Sequence, residues 1–247
     1  MKRPIVGASQ HKGFTAAELL FVLLIICILI ALLFPLFGSI RRGAQLTACK
    51  SNLRQIGSGL LRYQEDWSGL LPPLVLRGGE CWTYTCFDRM DEQEYRTRGG
   101  WANLGCLIAS DIVPEKSLGV LYCKADHLID SGKERHALEE AVKDPTQAGD
   151  VRCSYSYRGD IRGGYQTWQA VVADRIEGLV PRKQKLKKTD PPHWCAPTHG
   201  DTYAVLFTDG HVTSAKDTAG YVAKTSAAQE GAGYDYDEIW AWFDEKE

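Results

Sequence analysis

The sequence predicts an α+β protein in which a long N-terminal helix, its first half embedded in a membrane, packs on an antiparallel β-sheet domain. Three observations predict it. An apolar run from Leu19 to Phe37 carries no charged side chain. Helical spacing then continues through Ile40, Ala44, Ala48, Leu53, Ile56, Leu60, Tyr63 and Trp67, before Pro72-Pro73 stops it. Beyond those prolines the chain breaks into short apolar runs separated by glycine and polar clusters, the pattern of strands and turns.

The apolar run comes first. Crossing a hydrocarbon core takes roughly 20 residues, and a backbone in lipid must satisfy its own hydrogen bonds, so Leu19 to Phe37 is expected to be a spanning helix. A secretory signal would have a shorter apolar core, about 7–15 residues, ending at a small-residue cleavage site. Here the small residue, Gly13, precedes the run. Cleavage after it would remove a basic leader containing Lys2, Arg3 and Lys12, keep the helix, and leave a free amine on Phe14. Glu18 opens the helix. A charge costs roughly 2.5–3.5 kcal/mol at the centre of a membrane helix and less near its end. Arg41, Arg42, Lys50 and Arg54 follow the run, so counting flanking cations does not orient it.

Lys12-Gly13-Phe14-Thr15-Ala16-Ala17-Glu18-Leu19-Leu20 resembles the type III prepilin leader of type IV pilins and type II secretion pseudopilins. The resemblance implies a pilin-like fold and cutting by prepilin peptidase between Gly13 and Phe14 on the cytoplasmic side of the inner membrane, with N-methylation of Phe14. Glu18 then takes the family's fifth mature position, where it pairs with the amine of a neighbouring subunit during assembly. Pro35 falls at the family's proline position, where lost backbone bonding permits a kink. The expected parts are a leader at 1–13, a transmembrane helix at 14–37, the soluble half of that helix at 38–71, and a β-rich periplasmic or cell-surface domain at 72–247. The implied partners are prepilin peptidase, sister subunits and inner-membrane lipid.

Asn52-Leu53-Arg54-Gln55-Ile56-Gly57, Tyr63 and Gly69-Leu70-Leu71-Pro72-Pro73 also resemble a large group of prepilin-type proteins with a C-terminal His-x9-Asp-Gly signature, supplied here by His199 and Asp209-Gly210. The resemblance returns at Leu121-Tyr122-Cys123, at Ser154-Tyr155-Ser156-Tyr157 and from His199 to Val212. That group implies a class and no substrate. Physically, Tyr203 to Phe207 reads as a strand, Asp209-Gly210 as a type I′ turn and His211 to Ala215 as the return strand, with His199 near the hairpin's base. Hairpin geometry therefore accounts for Asp209 and Gly210 without chemistry.

In the middle of the chain, Cys81 to Phe87, Leu118 to Cys123, Val151 to Tyr157 and Tyr165 to Ala173 read as strands, and Leu138 to Val142 as a short helix. Lys183, Lys185, Lys187 and Lys188, flanked by prolines, read as a solvated loop. The formal charge of −2 and the lack of a basic stripe interleaved with aromatics argue against nucleic-acid binding. Beyond the membrane segment, about 200 residues remain, enough for one cored domain.

Cys27 lies in the membrane segment and Cys49 on the exposed half of the helix. Cys81, Cys86, Cys106, Cys123, Cys153 and Cys195 remain as an even set in an exported domain and suggest disulfides, although six cysteines permit fifteen pairings. Free thiols and zinc ligation are the alternatives. At the acidic C-terminal end, Asp235, Asp237 and Glu238 offer the oxygens that the calcium loop of major pseudopilins would use, without that loop's spacing. A solvated acidic end whose aromatics dock on the domain is the favoured reading, with no cofactor. Asp174, His199, Asp201, Asp209 and His211 could build a hydrolytic metal site, but no nucleophile elbow, zinc-protease helix or phosphate loop accompanies them. The sequence thus reads as a filament subunit and not as an enzyme. The alternative is an anchored envelope binding module that does not polymerise.

Overall fold

The computed structural model describes residues 16–74, 76–77, 80–81, 85–87, 100–126, 129–146, 148–159, 169–174, 198–222, 225 and 237–246. Its contacts divide the chain into two units, Met1–Arg41 and Arg42–Glu247. Helix α1, Ala16–Asp66, contributes to both. Within the first unit, Ala16–Leu33 is long and apolar enough to cross a membrane, and none of it is buried. Leu20 is 68% exposed and Leu32 67%, which is costly in water and expected of a helix surrounded by hydrocarbon. The backbone stays helical through Pro35. Glu18 sits in the first turn, whereas Gly13 and Phe14 lie outside the described residues.

In the second unit α1 becomes amphipathic. Cys49, Leu53, Ile56, Leu60 and Tyr63 are buried at steps of three and four residues, while Arg54, Gln55, Ser58 and Arg62 face solvent. The expected stripe holds from Leu53 onward and fails ahead of it: Ala44 and Ala48 are exposed, and Cys49 takes the inward place. The helix also ends before its prolines. Ser68 (φ 54°) and Gly69 (φ 82°) turn left-handed, and the Gly69 amide donates to the Gln64 carbonyl at 2.8 Å, a glycine-based helix end.

Short strands β1 (Leu76–Arg77) and β2 (Glu80–Cys81) pair antiparallel, as do β3 (Thr85–Phe87) and β4 (Val151–Arg152). The expected strand at 118–123 is instead a 3-10 helix, Glu115–Leu121, followed by extended backbone at Tyr122. Pro114 starts it by accepting from the Ser117 amide at 2.8 Å. The expected strand from Val151 to Tyr157 splits, because the Ser154 amide leaves the ladder and donates to Leu121 at 3.0 Å. Helix α2 (Cys106–Ala109) follows a 3-10 turn at Asn103–Gly105. Helix α3 runs Ser131–Lys143, longer than expected, because Asp130 caps it by accepting from the Gly132 and Lys133 amides.

A four-stranded antiparallel sheet has the order β5 (Tyr155–Tyr157), β6 (Ala170–Asp174), β7 (Thr202–Phe207), β8 (Val212–Lys216). Both faces of β7 are covered. Ala204 and Leu206 join the core that contains Cys49, Leu53 and Ile56. Tyr203, Val205 and Phe207 join a second core with Ile239, Trp240 and Phe243 of α4, Asp237–Asp244. The C-terminal aromatics therefore dock on the domain, and Asp244 fastens them by accepting from Arg158 at 2.9 Å and from the Ala170 amide at 2.7 Å. The architecture is α+β: an apolar N-terminal helix and antiparallel sheets.

Among the described glycines, space is tightest at Gly105, where an added Cβ would lie 1.8 Å from the Cys86 carbonyl oxygen. That carbonyl is held there by the Ala102 amide at 3.0 Å. The backbone angle of Gly105 (φ −64°) suits any residue, so only volume is at issue. Gly105→Ala is expected to lower unfolding stability by about 3 kcal/mol, measurable as a shift of the denaturant midpoint.

Candidate functional site

Four buried side chains from separate parts of the second unit converge: Cys49 of α1, Cys123 beyond the 3-10 helix, Asp174 at the end of β6 and His199 in the turn before β7. Their ligand atoms all lie within 4.8 Å of one another. Cys49 and Cys123 form a disulfide with Cα atoms 5.6 Å apart. Cys123 Sγ lies 3.5 Å from His199 Nε2, and that nitrogen is 3.7 Å from Asp174 Oδ2.

Local sequence explains the convergence. Asn52, one turn beyond Cys49, donates to the Tyr122 carbonyl at 3.1 Å and lies 3.2 Å from the Tyr155 hydroxyl, joining α1 to the residue before Cys123 and to β5. Tyr155 pairs with Asp174 in the sheet. The Ala204 amide donates to Asp174 Oδ2 at 2.6 Å, so the start of β7 holds the carboxyl inside. Gly200 (φ 85°) turns the chain between His199 and that strand.

Burial pushes the Asp174 carboxyl up to about 7, against the opposing pull of the Ala204 amide, and Asp126 adds to the rise. Burial also lowers His199. Asp174 Oδ1 and His199 Nδ1 are buried and have no hydrogen-bond partner among the described residues. A carboxyl group and an imidazole are thus enclosed beside a disulfide.

The structure separates the signature residues. His199 and Asp209-Gly210 lie at opposite ends of β7, so the signature spans one strand and does not form one site. The turn also differs from the expected type I′. The Phe207 amide donates to the His211 carbonyl at 3.0 Å and the Gly210 amide to Phe207 at 2.9 Å, giving a three-residue loop in which Gly210 alone has positive φ (88°). Asp209 Oδ1 accepts from the His211 amide at 3.0 Å and lies 2.6 Å from its Nδ1. Asp201 pairs with Lys216 at 3.4 Å. Of the five residues weighed for a metal, Asp174 and His199 meet at one end of β7 and Asp209 and His211 at the other, so the five do not gather in one place.

The disulfide corrects the expected cysteine set, since Cys123 bonds Cys49 of the helix and not another member of the six. Cys86, Cys106 and Cys153 are buried thiols outside the disulfide. Hydrogen bonding to Cys153 and burial push the Cys86 thiol up. Cys195 and Asp235 lie outside the described residues. Asp237 opens α4, and Glu238 is exposed on its first turn. The signal that could have found the pair is position: Cys49 lies three residues ahead of the Asn52 to Gly57 segment and Cys123 closes the Leu121-Tyr122-Cys123 segment, both of which carry the family resemblance. Comparison of the chain with known protein families, curated proteins and solved structures returns no match.

Proposed function

We propose that the chain is a pseudopilin-like filament subunit of a type II secretion or type IV pilus-like machine, processed after Gly13, methylated on Phe14 and anchored by α1 in the inner membrane. The observation that carries this reading is the unburied apolar segment Ala16–Leu33 with Glu18 in its first turn. Such a surface is satisfied by lipid before assembly and by the same segment of sister subunits afterwards. The disulfide supports a domain on the oxidising side of that membrane. The action is mechanical: helices pack in the filament core, and the sheet domain presents loops to neighbours or cargo.

A photo-cross-linking residue at Leu20, beside Glu18, tests it in membranes of the native host. The expected result is a ladder of oligomers that Glu18→Ala abolishes while leaving cleavage intact. Monomers alone in the parent protein would favour an anchored binding module, and a ladder unaffected by Glu18→Ala would remove the carboxylate-amine pair from the account.

A further inference from the structure

We propose that, once the Cys49–Cys123 bond is reduced, Cys49, Cys123, His199 and Asp174 form a four-ligand zinc site, so that the disulfide and the metal are alternative occupants of one buried centre. The donor set is suited to zinc: two thiolates, one imidazole and one carboxylate. Tetrahedral zinc, with Zn–S of about 2.3 Å and Zn–N or Zn–O of about 2.0–2.1 Å, places sulfur and nitrogen about 3.5 Å apart and nitrogen and oxygen about 3.3 Å apart. Cys123 Sγ and His199 Nε2 already stand at 3.5 Å, and His199 Nε2 and Asp174 Oδ2 at 3.7 Å. All four ligand atoms already lie within 4.8 Å of one another; the two sulfurs must separate to about 3.8 Å, and breaking their bond frees both cysteine side chains to rotate.

A second observation points to a cation. Asp174 Oδ1 is buried without a partner among the described residues, and the other three members of the cluster carry no fixed positive charge. A buried carboxylate is costly unless paired or bound to a metal, and a divalent ion beside His199 Nε2 supplies that charge. The ligands come from four separate stretches of chain, so the metal would tie together what the disulfide ties.

The chemistry balances with a thiol reductant. Two thiols, or one dithiol, supply two electrons and two protons; the S–S bond breaks, two cysteine thiols form and the reductant leaves as its own disulfide. Zinc then takes both sulfurs as thiolates and releases their two protons.

The test uses the full-length protein in detergent, reduced with a dithiol, exchanged anaerobically into reductant-free buffer and titrated with Co(II). The expected result is one equivalent bound, with tetrahedral ligand-field bands and a thiolate-to-cobalt charge-transfer band, both displaced by zinc. His199→Ala and Asp174→Asn should each weaken binding by at least the roughly 10–100-fold that loss of an outer-shell partner alone costs. Cys49→Ser should weaken the charge-transfer band, and Cys86→Ser should leave it unchanged. The oxidised protein should give no such spectrum. Absence of tetrahedral cobalt in a reduced protein with native circular dichroism overturns the proposal, as does binding that survives both His199→Ala and Asp174→Asn. Should the reduced protein lose its fold, recovery of the native spectrum by one equivalent of zinc supports the site, and failure to recover overturns it.

Discussion

Breaking the Cys49–Cys123 bond with a chelator present is expected to lower the unfolding free energy of the sheet-bearing unit by about 4 kcal/mol. The two cysteines are separated by 74 residues, and the entropy lost by the unfolded chain on closing a loop of that length corresponds to about 4 kcal/mol at 25 °C. Both residues are buried, Cys49 against the core that also holds Leu53, Ile56 and Leu206. Cys49→Ala is the cleaner variant, since it leaves no hydroxyl in that core. Denaturant unfolding followed by circular dichroism, with and without reductant, measures the difference. A loss below about 1 kcal/mol would mean that this loop is not closed by this bond in the native protein.

The second large effect is a pH dependence removed by Asp174→Asn. The folded protein holds the Asp174 carboxyl near 7, against an ordinary value of 3.8. Its folded form therefore binds the proton more tightly than the unfolded chain. The associated stability is fully present below pH 3.8 and is lost as pH rises through 7. The full loss is roughly 4 kcal/mol, more than half of it between pH 5 and pH 8. His199 acts oppositely: its lowered folded value gives stability that is present above 6.5 and lost as pH falls below it. The comparison of parent and variant isolates the carboxyl. In the oxidised protein, Asp174→Asn should become progressively more stable than the parent as pH rises from 5 to 8, because the asparagine oxygen can still accept from Ala204 without ever becoming charged. A difference that stays constant over that range would show that the carboxyl does not titrate there.

What could be read in advance follows how local the cause is. The apolar run and the helix beyond it were legible, because an uninterrupted apolar stretch and a stripe buried on one side against a core leave different periodicities in consecutive residues. The error at Ala48 and Cys49 is instructive. One residue on a helix is a rotation of about 100°, so placing Ala48 inward puts Cys49 toward solvent and hides it as a disulfide partner. The hairpin was legible from Asp209-Gly210, although its loop holds three residues, a difference fixed by which amide meets His211. The 3-10 helix at Glu115–Leu121 was missed because its apolar residues suit a strand equally well and the contacts that choose between them are tertiary. Asp174 and His199 stood out as titratable residues, but nothing local links either to Cys49 or Cys123. Their meeting depends on Asn52 reaching Tyr122 and on β5, β6 and β7 lying side by side.

The proposed filament role requires an apolar helix that survives removal of the residues ahead of it and then packs against copies of itself. Intact-mass and fragmentation spectra of the protein extracted from its native membrane test this most directly. A mature chain beginning at N-methylated Phe14 is the expected result; a chain that retains Met1, or begins at any residue other than Phe14, contradicts it.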